Sequence, residues 1–263
     1  MRVVAIIAVR NESRYIERCC RHLVEQGIEF AVIDNDSTDD TREIVGRFAG
    51  HGLVHLETRA YDGFYDWTAL LKRKEELSRQ LDADWFMHLD ADEIPESPVR
   101  GEPLVERLRQ VDAEGCSAVN FDEFVFVPTS AAENHEGTDY VAGMRRYFFF
   151  EPYPRRLVRL WKKAADIDLS RSGGHDASFA GRRLYPINFV LRHYIALCEL
   201  HLRSKYTSDR TYSPAEVAAG WHGWRARIND VVLRLPDEAE LADTSTDGGW
   251  DRSRPAKRHL FIR

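Results

Sequence analysis

An unbroken apolar run from Val3 to Val9 ends abruptly at Arg10-Asn11-Glu12. A β-branched run with no polar alternation predicts a strand buried on both faces. Over residues 13–26 the period changes, and Tyr15, Ile16, Cys19, Leu23 and Val24 recur at helical spacing. Phe30-Ala31-Val32-Ile33 reads as a second buried strand, ended by Asp34-Asn35-Asp36. Ser37 is placed to cap a helix from Thr38, with Asp39 and Asp40 favoured in its first turn by the helix dipole. Leu53–Leu56 is a weaker third strand, residues 64–81 a long helix, and Trp85–Leu89 a fourth strand ended by Asp90-Ala91-Asp92-Glu93. Alternation at this rhythm predicts the α/β class, with a mostly parallel twisted sheet flanked by helices.

The second half is less regular. Ala118–Val127 predicts an edge or antiparallel strand stopped by Pro128, and residues 129–155 a long surface excursion rich in Gly, Pro and aromatics. Arg156–Trp161 and Phe189–Tyr194 each add a strand, and Ser213-Pro214-Ala215-Glu216 opens a helix running to about Asn229. From Pro236 the chain turns polar and charged, which predicts a poorly ordered tail. The aromatic run Tyr147–Phe150 suits a core, the wall of a binding site or a membrane-facing patch equally.

The 263 residues carry 37 Lys and Arg against 43 Asp and Glu, a net charge of −6. That balance leaves no phosphate-neutralising excess and argues against nucleic acid as a partner. Val3–Val9 is too short to span a bilayer or to serve as a secretory leader. Cys19, Cys20, Cys116 and Cys198 show no CxxC spacing, which points to a reduced, cytoplasmic setting.

Three acidic or amide clusters fall at one structural place, the carboxyl end of a predicted parallel strand: Asn11/Glu12, Asp34/Asp36 and Asp90/Asp92. That edge is where doubly wound sheets open their ligand crevice. The plainer role of such residues is to turn and cap the chain. Asp90-x-Asp92 carries the sharpest chemistry. Two residues apart on an extended chain they face the same way, and two hard carboxylates suit Mg²⁺ or Mn²⁺ that also binds a substrate phosphate.

Taken together, Ala8-Val9-Arg10-Asn11-Glu12, Val32-Ile33-Asp34-Asn35-Asp36-Ser37-Thr38-Asp39-Asp40-Thr41 and His88-Leu89-Asp90-Ala91-Asp92-Glu93 resemble the family 2 glycosyltransferases of the GT-A fold. Ser172-Gly173-Gly174-His175-Asp176, Leu191-Arg192-His193-Tyr194 and Gly220-Trp221-His222 resemble the later part of a bacterial subgroup found among surface-polysaccharide enzymes. The resemblance implies a GT-A domain over residues 1–230, its nucleotide-binding half about 1–100 and its acceptor half about 101–230, with a helical C-terminal extension and a tail over 231–263. It implies metal-dependent, inverting transfer of one sugar from a nucleotide-diphosphate-sugar donor to a glycan or lipid-linked acceptor. Such an enzyme works in the cytoplasm and, with a lipid-linked acceptor, at the membrane surface without crossing it.

Carried over by position, Asn11 and Glu12 line the nucleoside pocket, and Asp34 and Asp36 contact base or ribose. Asp90 faces ribose and metal, Asp92 ligates the metal, and His193, with His175 as the other choice, completes its shell. Asp176 is the implied general base, with Glu123 second. No Q-x-x-R-W follows the acid pair, so single-sugar transfer is expected rather than processive synthesis. Two further readings compete: an Asp-x-Asp phosphatase, against which Glu93 and Ile94 stand in place of the expected Thr or Val, and a nucleotide- or glycan-binding module without turnover.

Overall fold

The computed structural model describes residues 1–152, 157–207, 211, 213–218, 233–244 and 249–262. In chain order these form β1 (Val3–Val9), α1 (Ile16–Glu25), β2 (Glu29–Asp34), α2 (Thr41–Gly46), β3 (Leu53–Thr58), α3 (Trp67–Gln80), β4 (Trp85–Leu89) and β5 (Glu93–Glu96). They continue with α4 (Leu104–Ala113), β6 (Ala118–Phe126), α5 (Tyr140–Gly143), β7 (Arg146–Phe150), β8 (Val158–Lys162), β9 (Phe189–Tyr194), α6 (Glu199–Thr207), α7 (Pro214–Ala218) and β10 (Ala242–Asp243). The chain divides into two compact units: Met1–Asp62, Trp67–Phe121 and Arg156–Leu191 form the first, and Gly63–Asp66, Asp122–Arg155 and Arg192–Arg263 the second.

In the first unit β1 is buried at all of its residues, which is why its sequence shows no alternation. It pairs in parallel with β2 on one side and β4 on the other, and β2 pairs in parallel with β3. Antiparallel β8 continues the sheet beyond β4, and Ala118–Asn120 of β6 lie antiparallel on β8. The result is the α/β architecture that the pattern predicts, a mostly parallel sheet with flanking helices. α1 buries Ile16, Cys19, Cys20 and Leu23. Helix α3 is tied to β3 by a two-pronged ion pair, Arg73 Nε and Nη2 each 2.8 Å from a Glu57 oxygen. That hydrogen bonding from Arg73 holds the Glu57 carboxyl at about 2.

The second unit is built on antiparallel pairing, with Glu123–Phe126 of β6 against β7 and β10 on β7. Its core gathers Val125, Phe148, Ile195, Leu202, Tyr206, Leu233, Leu241 and Phe261.

Several expectations change. Residues 129–155 are not only a surface excursion, because α5 and β7 lie within them. Tyr147, Phe148 and Phe149 are buried core, not a membrane-facing patch. Strand β6 is antiparallel but not an edge, since it is paired along both sides. The helix expected from Thr38 begins at Thr41; Asp39 Oδ1 accepts from Thr41 N at 3.0 Å, while Ser37 Oγ is taken by Asn11 N at 3.0 Å. Beyond Pro236, Leu241 and Phe261 anchor the end of the chain by burial, where a loose tail was expected. Of the helix predicted from Pro214 to about Asn229, Pro214–Ala218 are helical and the rest lie outside the described residues, as do Gly220-Trp221-His222. No helix among the described residues is long and apolar enough to cross a membrane.

The Arg73–Glu57 pair gives a pH-dependent contribution. A carboxylate with a depressed native pKa stabilises the fold above its unfolded value and ceases to do so as pH falls through the native one. Arg73→Met should therefore lower stability by about 1 kcal/mol at neutral pH. The gap to wild type should close between about pH 4.5 and 2, as followed by urea unfolding at each pH.

Candidate active site

The register places Val9 beside Asp34 and Ile7 beside Leu89, so the chain leaves β1, β2 and β4 along one edge of the sheet. At the first two exits Asn11 (φ 55°) and Asp36 (φ 57°) are the only non-glycine residues with positive φ among those described. Asparagine and aspartate tolerate this conformation because their short side chains bond nearby backbone. Asn11 N donates to Ser37 Oγ at 3.0 Å and Asn11 Oδ1 accepts from Thr38 N at 2.8 Å, which locks one exit to the other. Glu12 N donates to Thr41 Oγ1 at 2.8 Å.

Asp34 is buried, and its Oδ1 lies 3.3 Å from Ser37 N, whereas Asp36 is exposed. Asn35 Nδ2 reaches the carbonyls of Arg59 and Ala60, both at 3.1 Å, and so fixes the exit of β3. Arg10 donates to the Asn35 carbonyl at 2.7 Å and stacks under the ring of Tyr61 at 3.5 Å.

At the end of β4 the acid pair does not lie on an extended strand. Asp90-Ala91-Asp92 forms a turn between β4 and β5, in which Glu93 N bonds the Asp90 carbonyl at 3.2 Å and Glu93 Oε2 accepts from Asp90 N at 2.9 Å. The two carboxylates therefore sit differently. The Asp90 side chain is 33% exposed, and Asp92 is buried.

Behind the turn lie two cations, Arg159 and Lys74. Arg159 on β8 sets Nη1 2.5 Å from Glu93 Oε2 and 3.5 Å from Asp90 Oδ2. Lys74 on α3, fully buried, donates to His88 Nδ1 at 2.7 Å and to the Leu89 carbonyl at 3.1 Å. Burial pulls the Lys74 ammonium down to about 8 against the attraction of Asp90. Burial, reinforced by Lys74, holds the His88 imidazole neutral. With Lys74 as donor, the His88 proton sits on Nε2.

The Ser172-Gly173-Gly174-His175-Asp176 segment is fastened to the same unit. Trp67 Nε1 donates to the Gly173 carbonyl at 2.9 Å, and buried Glu75 accepts from the amides of Leu169 and Ser170 at 2.8 and 3.0 Å. A Cβ on Gly174, which stands at φ 89°, would come within 2.8 Å of His88 Nε2. Both facts require glycine there. Asp176 forms an ion pair with Arg182. In the second unit, Glu123 Oε1 and His193 Nδ1 lie 2.6 Å apart, which joins two residues separated by 70 positions.

As for a divalent metal, no three His, Cys, Asp or Glu side chains among the described residues stand as a ready-made cage. Asp90 and Asp92 belong to the first unit and His193 to the second. Two carboxylates in one turn are a fitting donor set for Mg²⁺ or Mn²⁺, which typically binds through one or two acids and completes its shell with water and substrate phosphate.

Against known proteins, the model for glycosyl transferase family 2 matches residues 4–66, which span β1 to the segment before α3 and include Asn11, Glu12, Asp34 and Asp36. No curated protein matches the chain. Among solved structures, S. aureus TarS 1–349 in complex with UDP is similar at 15% identity and a TM-score of 0.43, over 74% of this chain and 61% of that one. TarS 1–349 in complex with UDP-GlcNAc is similar at 15% identity and a TM-score of 0.45, over 91% and 69%. Glucosyl-3-phosphoglycerate synthase from M. tuberculosis, solved with Mn²⁺, UDP and phosphoglyceric acid, is similar at 22% identity and a TM-score of 0.32, over 47% and 43%. The chain thus spans about three fifths of the first of these structures.

The buried charge pair is open to a direct test. Arg159→Met leaves Glu93 buried without its guanidinium and should cost about 3–5 kcal/mol in urea unfolding. Replacing Glu93 by Met in the same chain should recover most of that loss. A double variant no more stable than the single one would mean that the two side chains are not coupled.

Proposed function

We propose that the protein is a glycosyltransferase that moves one sugar from a nucleotide-diphosphate-sugar to an acceptor hydroxyl, with inversion at the anomeric carbon. The observation that carries this reading is the convergence of Asn11, Asp34 and the Asp90–Asp92 turn on the exits of three adjacent parallel strands, two of them inside the family 2 match. Buried Asp34 is suited to accept from a base N–H or a ribose hydroxyl. Asn11, Glu12 and Asp36 frame the same exits. Asp90 and Asp92 would hold Mg²⁺ or Mn²⁺. When bound, the ion neutralises charge on the departing diphosphate.

An inverting transfer needs a base for the acceptor hydroxyl. The two candidate acids differ in what faces them. Asp176 is held in an ion pair by Arg182, which occupies the carboxylate an acceptor hydroxyl would need. Glu123 faces an imidazole. With His193 Nδ1–H given to Glu123, Nε2 carries the lone pair of the ring, and the pair can take up a proton as a unit. Glu123 with His193 is therefore the preferred base, ahead of Asp176. This assigns His193 to proton transfer as the alternative to metal ligation. The role in bacterial cell-surface glycan synthesis, in the cytoplasm and at the membrane face for a lipid-linked acceptor, is supported by the resemblance of the later motifs.

Two measurements test the reading. Asp92→Ala should abolish the Mn²⁺-dependent thermal shift produced by UDP or GDP while the protein alone melts cooperatively. A wild-type protein that responds to neither nucleotide diphosphate would defeat the proposal. Once a donor is identified, Glu123→Gln should lower kcat by about 10²–10⁴-fold with donor KM little changed. Asp176→Asn should cost far less, and the reverse order would return the base to Asp176.

A further inference from the structure

The second unit holds a cavity of about 400 Å³ beside α5 and the start of β7, lined by Glu133, His135, Arg145, Arg146, Glu238 and Asp243. Its volume falls in the range of small-molecule sites, but those are lined mainly by apolar side chains and this one is not. The occupant it suits is therefore hydrophilic.

Charge narrows the class. Three carboxylates face two guanidiniums, so a phosphate or sulfate finds more acid than base among the charged side chains of the wall. Two guanidiniums in the wall equally oppose a divalent cation. The charged groups pair with one another. Arg145 Nη2 donates to Asp243 Oδ1 at 3.1 Å, Arg146 Nη2 donates to Glu238 Oε2 at 3.0 Å, and Arg146 Nε lies 3.5 Å from Asp243 Oδ2. Each guanidinium carries five N–H donors, more than these contacts engage. Neighbouring hydroxyls on a ring need just such alternation, one donating to a carboxylate while the next accepts from a guanidinium. Glycine shapes the wall, since a Cβ at Gly143 would come 3.2 Å from His135 Nδ1.

We infer that this cavity is a carbohydrate site for a neutral pyranose of a glycan. It stands on the residues of the second unit alone and does not rest on the transferase reading.

The test is saturation-transfer NMR on the full chain with methyl glycosides of glucose, galactose, mannose, N-acetylglucosamine and rhamnose, and with inorganic phosphate as the competing probe. At least one glycoside should bind wild type, with Kd raised at least about tenfold by Arg145→Ala, the loss expected when a charged hydrogen bond is removed. The Arg145 side chain is 53% exposed and Asp243 keeps Arg146, so this variant retains the fold. Gly143→Val, which narrows the cavity, should weaken binding likewise; if it does not fold, Arg145→Ala decides. The inference is overturned if no glycoside binds, if binding is unchanged in Arg145→Ala, or if phosphate alone shows the Arg145 dependence. The thermal response to UDP or GDP with Mn²⁺ should be the same in Arg145→Ala as in wild type, which separates this result from the fate of the transferase proposal.

Discussion

Three acids within four residues, Asp90, Asp92 and Glu93, close the turn after β4, and such a density of charge is tolerated only because two cations stand behind it. Removing an ion from water costs several kcal/mol even after relaxation, so Lys74, Arg159 and Glu93 are buried only where each finds a partner. Glu93 serves both sides: the same Oε2 takes the Arg159 guanidinium and the Asp90 amide. Lys74 ties the carbonyl of Leu89 to the ring of His88, and His88 in turn backs against Gly174. The position of the turn is thus set by α3, β8 and the glycine segment at once. With both cations counted, the turn keeps a net charge of about −1 for anything that docks there, which on the proposed reading is a cation accompanied by a diphosphate.

The parts of this arrangement that were legible in the sequence are those in which one residue type has one structural use. The apolar runs of β1, β2 and β4 announce strands covered on both faces, and the polar residues that end them mark the edge of the sheet. The second half hid for the opposite reason. Arg159 sits in Val-Arg-Leu-Trp, where alternation suggests a charge turned to solvent, yet it is 6% exposed because its counter-ion is Glu93, 66 positions earlier. Glu123 and His193 were both in view, but only folding shows them bonded to each other. The helix α4 carries Leu104, Val105, Leu108 and Val111 at good helical spacing and was missed among flanking prolines and charges. The acid pair was assigned an extended geometry from its spacing alone, and the reach of Glu93 back to the Asp90 amide makes it a turn.

The left-handed residues at the exits of β1 and β2 bear on how prepared the site is. A non-glycine residue in that region costs of order 1–3 kcal/mol and persists only where its surroundings determine it. Here they do. Asn11 uses its amide N–H and its side-chain oxygen on consecutive residues of the other exit, Ser37 and Thr38. Asp36 lies between those contacts and Arg10, whose guanidinium donates to the Asp36 carbonyl. An alanine at position 11 would keep the strain and lose the Thr38 bond, whereas a glycine would relieve the strain and lose the same bond. Asparagine satisfies both demands, because its side chain supplies the acceptor that makes its backbone angle tolerable. The two exits therefore form one rigid rim before any ligand arrives, and a nucleotide bound there would not have to spend its own binding energy on ordering the loops.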